Sequence, residues 1–202
     1  MRFSKKDFVS SLITGLTTGI IAWRIAAYLK IPTLGGLAFG WLIIVAPLLW
    51  ILGVNLGYWL GRRFDFFNQF GKFAAIGFSN AAVDFGALNL LIAYSGVAAG
   101  LWFSVFKGIS FFFGISHSYF WNRYWVFEAA GGEPVIREFS KFFLVGVLAA
   151  AFNVTAASIV VNGIRPAFSL SPEIWANVGA VVGSAVALIF SFLGFKMAVF
   201  KK

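Results

Sequence analysis

The sequence predicts an all-α integral membrane protein with six transmembrane helices, the last four arranged as two parallel-oriented two-helix repeats. Three observations predict it. The chain has 202 residues, 60% of them hydrophobic and 11% charged, with a mean hydropathy of +0.89. A soluble domain carries about 25% charged residues, so this chain has too few to cover a water-facing surface. Its apolar residues gather into runs of roughly 20, the length that crosses a hydrocarbon core of about 30 Å. Its basic residues are spread unevenly over alternate loops, as expected of a multi-pass protein.

The six runs are 8–29, 37–60, 72–94, 101–122, 139–161 and 174–195. Backbone polar groups in lipid must pair within their own segment, so each run reads as a helix. The first follows Lys5 and Lys6 in the manner of a signal peptide. No small-residue cleavage site follows cleanly, and Arg24 stands where one is expected, so the run is read as a retained helix. It carries Gly15-x-x-x-Gly19, and the second run carries Gly53, Gly57 and Gly61 at the same spacing. Small residues so placed let helix backbones approach closely. Pro47 is expected to kink the second helix.

With a cytoplasmic N-terminus, Arg24, Lys30 and Arg165 fall outside and 12 of the 16 basic residues fall inside, leaving Lys107 within a run. Both termini are therefore expected on the cytoplasmic side of the cytoplasmic membrane. Trp102 and Trp175 read as outer interface anchors, and Trp59, Trp121 and Trp125 as inner ones. Arg24 is expected to snorkel to the interface. The net charge of +9 is assigned to topology and to anionic headgroups, not to nucleic acid. The chain has no cysteine, which excludes disulfides, thiolate metal sites and cysteine nucleophiles.

The later part of the chain repeats itself. Residues 70–77 and 139–146 share F-x-K-F-x-x-(I/V)-G, and Arg123, Val126 and Phe127 correspond to Lys196, Val199 and Phe200. Each repeat has an even number of helices, so both face the same way, related by an axis along the membrane normal. Residues 1–69 lack the pattern and read as an added transmembrane hairpin with a linker, preceding a four-helix domain at 70–202.

A unit that opens with Phe70, Lys72, Phe73, Ile76, Gly77, Asn80 and Asp84, and closes with Asn122, Arg123, Trp125, Val126 and Phe127, resembles the GtrA-like family. The resemblance covers about residues 70–202. It implies translocation of a polyprenyl-phosphate-linked monosaccharide across the cytoplasmic membrane for cell-surface polysaccharide synthesis, beside a membrane glycosyltransferase. It also implies a basic residue and an asparagine near the end of the last hairpin. Here Ala180 stands where the repeat would place a partner to Lys107, and Ser191 where the asparagine would stand.

Seven residues are candidates for binding the substrate. Lys107 lies inside a helix, where a lysine costs about 2.5–3.5 kcal/mol and needs an offset. Asp84, near mid-depth on the preceding helix, is within reach if the turn at 95–100 is tight. The two form either a structural ion pair or a lysine presented to a lipid phosphate and held by Asp84 when the site is empty. Asn80 belongs to the opening motif, and Asn153 takes the Asp84 position in the second repeat, which suggests a shared cavity. Asn122 and Arg123 at the cytoplasmic end either terminate a helix or capture the sugar phosphate, since arginine presents a donor fork suited to phosphate. His117, the single histidine, has no acid or cysteine at ligand spacing on its helix, so a hydrogen-bonded role is expected and metal binding is not.

No phosphate-cradling loop with its lysine and no nucleophile elbow occurs, and the 127–138 loop is too short for a nucleotide-sugar domain. The expectation is a non-enzymatic transporter without cofactor. Its partners would be the sugar lipid and a glycosyltransferase, with self-association left open and nucleic acid not expected. Two rival readings are a membrane anchor that recruits a glycosyltransferase and an exporter of small solutes or cations working through Asp84.

Overall fold

The computed structural model describes residues 3–33, 38–65, 67–126, 135–166 and 170–198, with side chains described in all of these but 135–143, 188–189 and 191–198. Phe127, Val199 and Phe200 of the sequence motifs lie outside the described residues.

The chain is built from six α-helices: α1 (Lys5–Tyr28), α2 (Leu42–Leu60), α3 (Phe67–Ser95), α4 (Gly100–Trp121), α5 (Val135–Gly163) and α6 (Pro172–Ala198). A 3₁₀ turn at Phe39–Trp41 leads into α2, and a π-helical turn at Asn122–Val126 continues α4. No strand occurs among the described residues. Each expected run overlaps one of these helices over most of its length. Four stretches are long and apolar enough to cross a membrane: Lys5–Tyr28, Phe39–Leu60, Phe67–Ser95 and Leu144–Gly163. By length alone α4, with 22 residues, and α6, with 27, are also sufficient.

The helix ends follow local chemistry. Ser4 caps α1 by accepting from the Asp7 N–H at 3.2 Å, and the Asp7 carboxylate returns to the Ser4 N–H at 2.9 Å. This is a capping box, and it puts an acid where the helix dipole favours one. At the other end Lys30 takes φ 50°. Its N–H reaches the Ala27 carbonyl while that of Ile31 reaches Ala26, a Schellman closure in which a lysine occupies the left-handed position usually given to glycine. Between α3 and α4 the turn is tight, as expected, and is flanked by Gly96 at φ 71° and Gly100 at φ 75°. Pro47 lies inside α2, and the helix runs through it.

The chain gathers into two compact units. Unit 1 comprises Met1–Gly86 and Ser116–Ala130; unit 2 comprises Ala87–Ile115 and Gly131–Lys202. These bounds cut α3 and α4, unlike the division of the sequence near residue 69.

Unit 1 depends on close helix approach. A Cβ added at Gly15 would collide with the Pro47 backbone, and one at Gly19 with the Leu42 carbonyl, so α1 and α2 touch at their backbones. A Cβ at Gly57 would come to 2.9 Å from the Phe67 carbonyl oxygen, and one at Gly71 to 2.8 Å from that of Gly53. The small-residue spacing read from the sequence is thus a packing stripe. Gly53 itself faces open space, so a Cβ there meets nothing within 4 Å. In unit 2, α5 and α6 approach in the same way: a Cβ at Gly179 would meet Val161 and the Ala157 carbonyl, and one at Gly183 the Asn153 carbonyl.

Lipid-compatible helices in unit 2 are also joined by polar pairs. Asn89 of α3 and Asn177 of α6 exchange amide hydrogen bonds of 2.7 and 2.8 Å. The Ser104 and Ser158 hydroxyls lie 2.6 Å apart. The Asn162 side chain accepts from the Gly100 N–H at 2.6 Å and donates to its carbonyl at 3.3 Å.

Thermal unfolding of the purified protein in detergent micelles tests this packing. Gly15→Val and Gly19→Val each lower stability by about 1–3 kcal/mol, the cost of overpacking. Gly53→Ala is tolerated, and Lys30→Gly raises stability by about 1 kcal/mol by relieving the left-handed lysine.

Candidate functional site

The polar centre of unit 1 begins at a residue that the sequence motifs did not single out. Asp7 is 1% exposed. One of its oxygens, Oδ1, accepts from Lys72 Nζ at 2.8 Å and from Trp125 Nε1 at 2.9 Å. The other, Oδ2, accepts from the Tyr58 hydroxyl at 3.0 Å and from the Ser4 N–H and hydroxyl at 2.9 and 2.8 Å. Donors from the α1 cap, α2, α3 and the π turn therefore converge on one carboxylate. The Lys72 ammonium also lies 5.5 Å from the centre of the Tyr58 ring. Tyr58, Trp125 and Val126 pack with Val54, Ala75 and Ile76 into an apolar cluster around this centre.

The structure gives Lys72 and Trp125 partners that the sequence does not show. Lys72, one of the basic residues counted on the inner side, is 5% exposed and ion-paired with Asp7. Trp125 was read as an interface anchor; it is 0% exposed and spends its N–H on Asp7. In unit 2, Trp175 is likewise buried, its N–H directed at the Val160 and Ile164 carbonyls, because a buried indole donor must find an acceptor. Trp59 and Trp102 are exposed, as the anchor reading requires. Arg24 is exposed too and stacks over the Trp23 ring at 5.7 Å.

The end of α4 carries the Asn-Arg motif on the π turn. Asn122 is buried; its amide donates to the Ser118 carbonyl at 2.9 Å and hydroxyl at 3.1 Å. Its Oδ1 is buried with no protein partner. Arg123 is partly buried and donates to the Tyr119 hydroxyl at 3.1 Å. A π turn leaves the regular α-helical hydrogen-bond ladder, and such turns cluster at functional positions. Farther up the same unit, His117 Nε2 lies 3.4 Å from the Ser79 hydroxyl, while His117 Nδ1 and Asn80 Oδ1 are buried without protein partners. An orphaned buried acceptor costs free energy unless water or a ligand reaches it. Unit 1 thus holds Asn80, Asp84, His117, Asn122 and Arg123, with Asp84 4% exposed.

Lys107 and Asn153 belong to unit 2. Lys107 is 0% exposed, with its ammonium 6.0 Å from the centre of the Phe111 ring. Asn153 donates to the Ser184 hydroxyl at 3.4 Å, and its Oδ1 has no protein partner.

Asp7 had a weak sequence signal: Ser4-x-x-Asp7 before an apolar run is a helix-start pattern. Nothing in the sequence tied it to residue 72 or 125. Removing one partner of a buried ion pair costs about 3–5 kcal/mol, because the other charge stays buried. Asp7→Ala is therefore expected to lower the unfolding midpoint sharply. A Lys72→Met change in the same chain should recover much of the loss. Equal loss in the single and double variants would show that the pair is not what holds the unit.

The profile of the GtrA/DPMS transmembrane domain matches residues 72–200, which begins at Lys72 and takes in the motif end at Asn122–Val126. No curated protein and no solved structure matches the chain. The match covers well over half of the sequence, and the chain is a membrane protein of the GtrA/DPMS transmembrane-domain family.

Proposed function

We propose that this protein moves a polyprenyl-phosphate-linked monosaccharide across the cytoplasmic membrane for cell-surface polysaccharide synthesis, without making or breaking a bond. The observation that carries the reading is the end of α4. There, within the matched family segment, a buried asparagine with an unpartnered oxygen adjoins an arginine on a π turn. An arginine fork suits a phosphate, and an amide suits sugar hydroxyls. The buried Lys107 in the same helix supports the reading, since a cation held within a membrane helix is a functional feature by default.

The energetics need no nucleotide. The head of such a lipid is a phosphodiester with one negative charge. Its outward movement across an inside-negative membrane is favoured by about 2.3 kcal/mol per 100 mV. Consumption of the lipid by a glycosyltransferase outside would draw it further. In this reading, with six crossings and both termini in the cytoplasm, Asn122 and Arg123 belong to the entry side, where the lipid is loaded. The prenyl tail stays in the bilayer against the exposed rings of Phe112, Phe113 and Phe120. The matching 29-residue lengths of α3 and α5 support the reading of a duplicated hairpin.

Leaflet exchange of a polyprenyl-phosphate hexose in liposomes containing the purified protein tests this. The wild type is expected to accelerate exchange. Lys107→Ala and Asn122→Ala should insert normally and slow exchange about tenfold or more, in line with ~1.5–3 kcal/mol for a hydrogen bond to a charged group. Unchanged rates in both variants would overturn the site, and no acceleration by the wild type would overturn the function.

A further inference from the structure

We infer that Asp7, outside the matched family segment, is a positioning residue for the phosphate-binding end at Asn122 and Arg123, acting through the Trp125 indole; this rests on the function proposed above. Three observations carry it. The π turn Asn122–Val126 is a departure from α-helical geometry, and a departure persists where surrounding contacts hold it. Within this turn the Trp125 side chain is 0% exposed, and its N–H donates to Asp7 Oδ1, the oxygen that also receives Lys72. Asp7 is itself fixed from both directions: its capping box with Ser4 sets the start of α1, and the close approach of Gly15 and Gly19 to α2 sets the helix as a whole.

The consequence is directional. Arg123 and Asn122 are two and three residues before Trp125 on one turn. Anchoring the indole to a carboxylate from a different helix fixes the rotation of that turn. It thereby fixes the directions in which the Arg123 guanidinium and Asn122 Oδ1 are presented. The N-terminal helix then contributes to the site without touching the ligand. The pair of groups it orients is suited to a phosphate oxygen beside a hydroxyl-rich head.

The test compares the binding of farnesyl phosphate and farnesol by the full-length protein in detergent micelles. The wild type should prefer farnesyl phosphate. Asp7→Asn should weaken farnesyl phosphate about tenfold, the scale on which loss of an orienting partner behind a binding group is felt, and leave farnesol unchanged. In an Arg123→Gln background the same change should cost much less, because the part of its effect that passes through Arg123 is already lost. Trp125→Phe removes only the indole donor, keeps the Asp7–Lys72 pair and should reproduce the loss; it settles the matter if Asp7→Asn fails to insert. Retained preference in Asp7→Asn and Trp125→Phe overturns this inference alone. So do losses that are equal for farnesol or additive with Arg123→Gln. No preference in the wild type overturns both it and the function on which it rests.

Discussion

A lysine buried inside an apolar helix needs a counter-charge, and in unit 1 that requirement fixes the relation of three helices and a turn. Lys72 sits near the start of α3, its ammonium held by Asp7 of α1 at 2.8 Å. The carboxylate has capacity for further donors, and they come from Tyr58 of α2, Trp125 of the π turn and the Ser4 cap. A half-satisfied polar centre in such surroundings would be worse than an apolar one; a fully satisfied one specifies a single arrangement. The glycine approaches between α1, α2 and α3 make that arrangement reachable, because side chains as short as aspartate meet only when backbones run close.

Unit 2 sets the register of its helices with polar contacts of another kind. Its helices are joined by neutral pairs: two asparagine amides facing each other, two serine hydroxyls, and an asparagine bound to the glycine at the head of α4. Neutral pairs avoid the desolvation of a charge and contribute modest free energy, yet they fix register between apolar surfaces that would otherwise slide.

Much of the fold was legible because membrane helices declare themselves by length and hydropathy. All six runs overlap helices over most of their length, and the 95–100 turn was visible as a short glycine-bounded link. The helix ends were less legible. The π turn at Asn122–Val126 and the left-handed Lys30 have no composition that announces them. The site divided in the same way. Lys107, Asn122, Asp84 and Asn153 stood out as polar residues in apolar runs, and the structure buries all four. Asp7 did not stand out, because an acid in the first turn of a helix is ordinary by local rules. Its importance comes from Lys72 and Trp125, which are brought to it by tertiary packing. Trp125 was misread for the converse reason: tryptophan at a helix end has a common interfacial use, and only its partner distinguishes a buried donor from an anchor.

The spacing of the Asp7 contacts along the chain bears on how the protein is made. Tyr58 lies 51 residues after Asp7 and Trp125 lies 118 after it, with Lys72 between them. During synthesis α1 enters the membrane carrying a carboxylate none of whose tertiary partners yet exists. Its capping serine provides an interim partner from within the same turn. Unit 1 reaches its final form only after the end of α4 has emerged, so α1 is made well before it is fully fastened. A nascent chain halted before residue 125 would hold α1, α2 and α3 with the Asp7 centre one donor short.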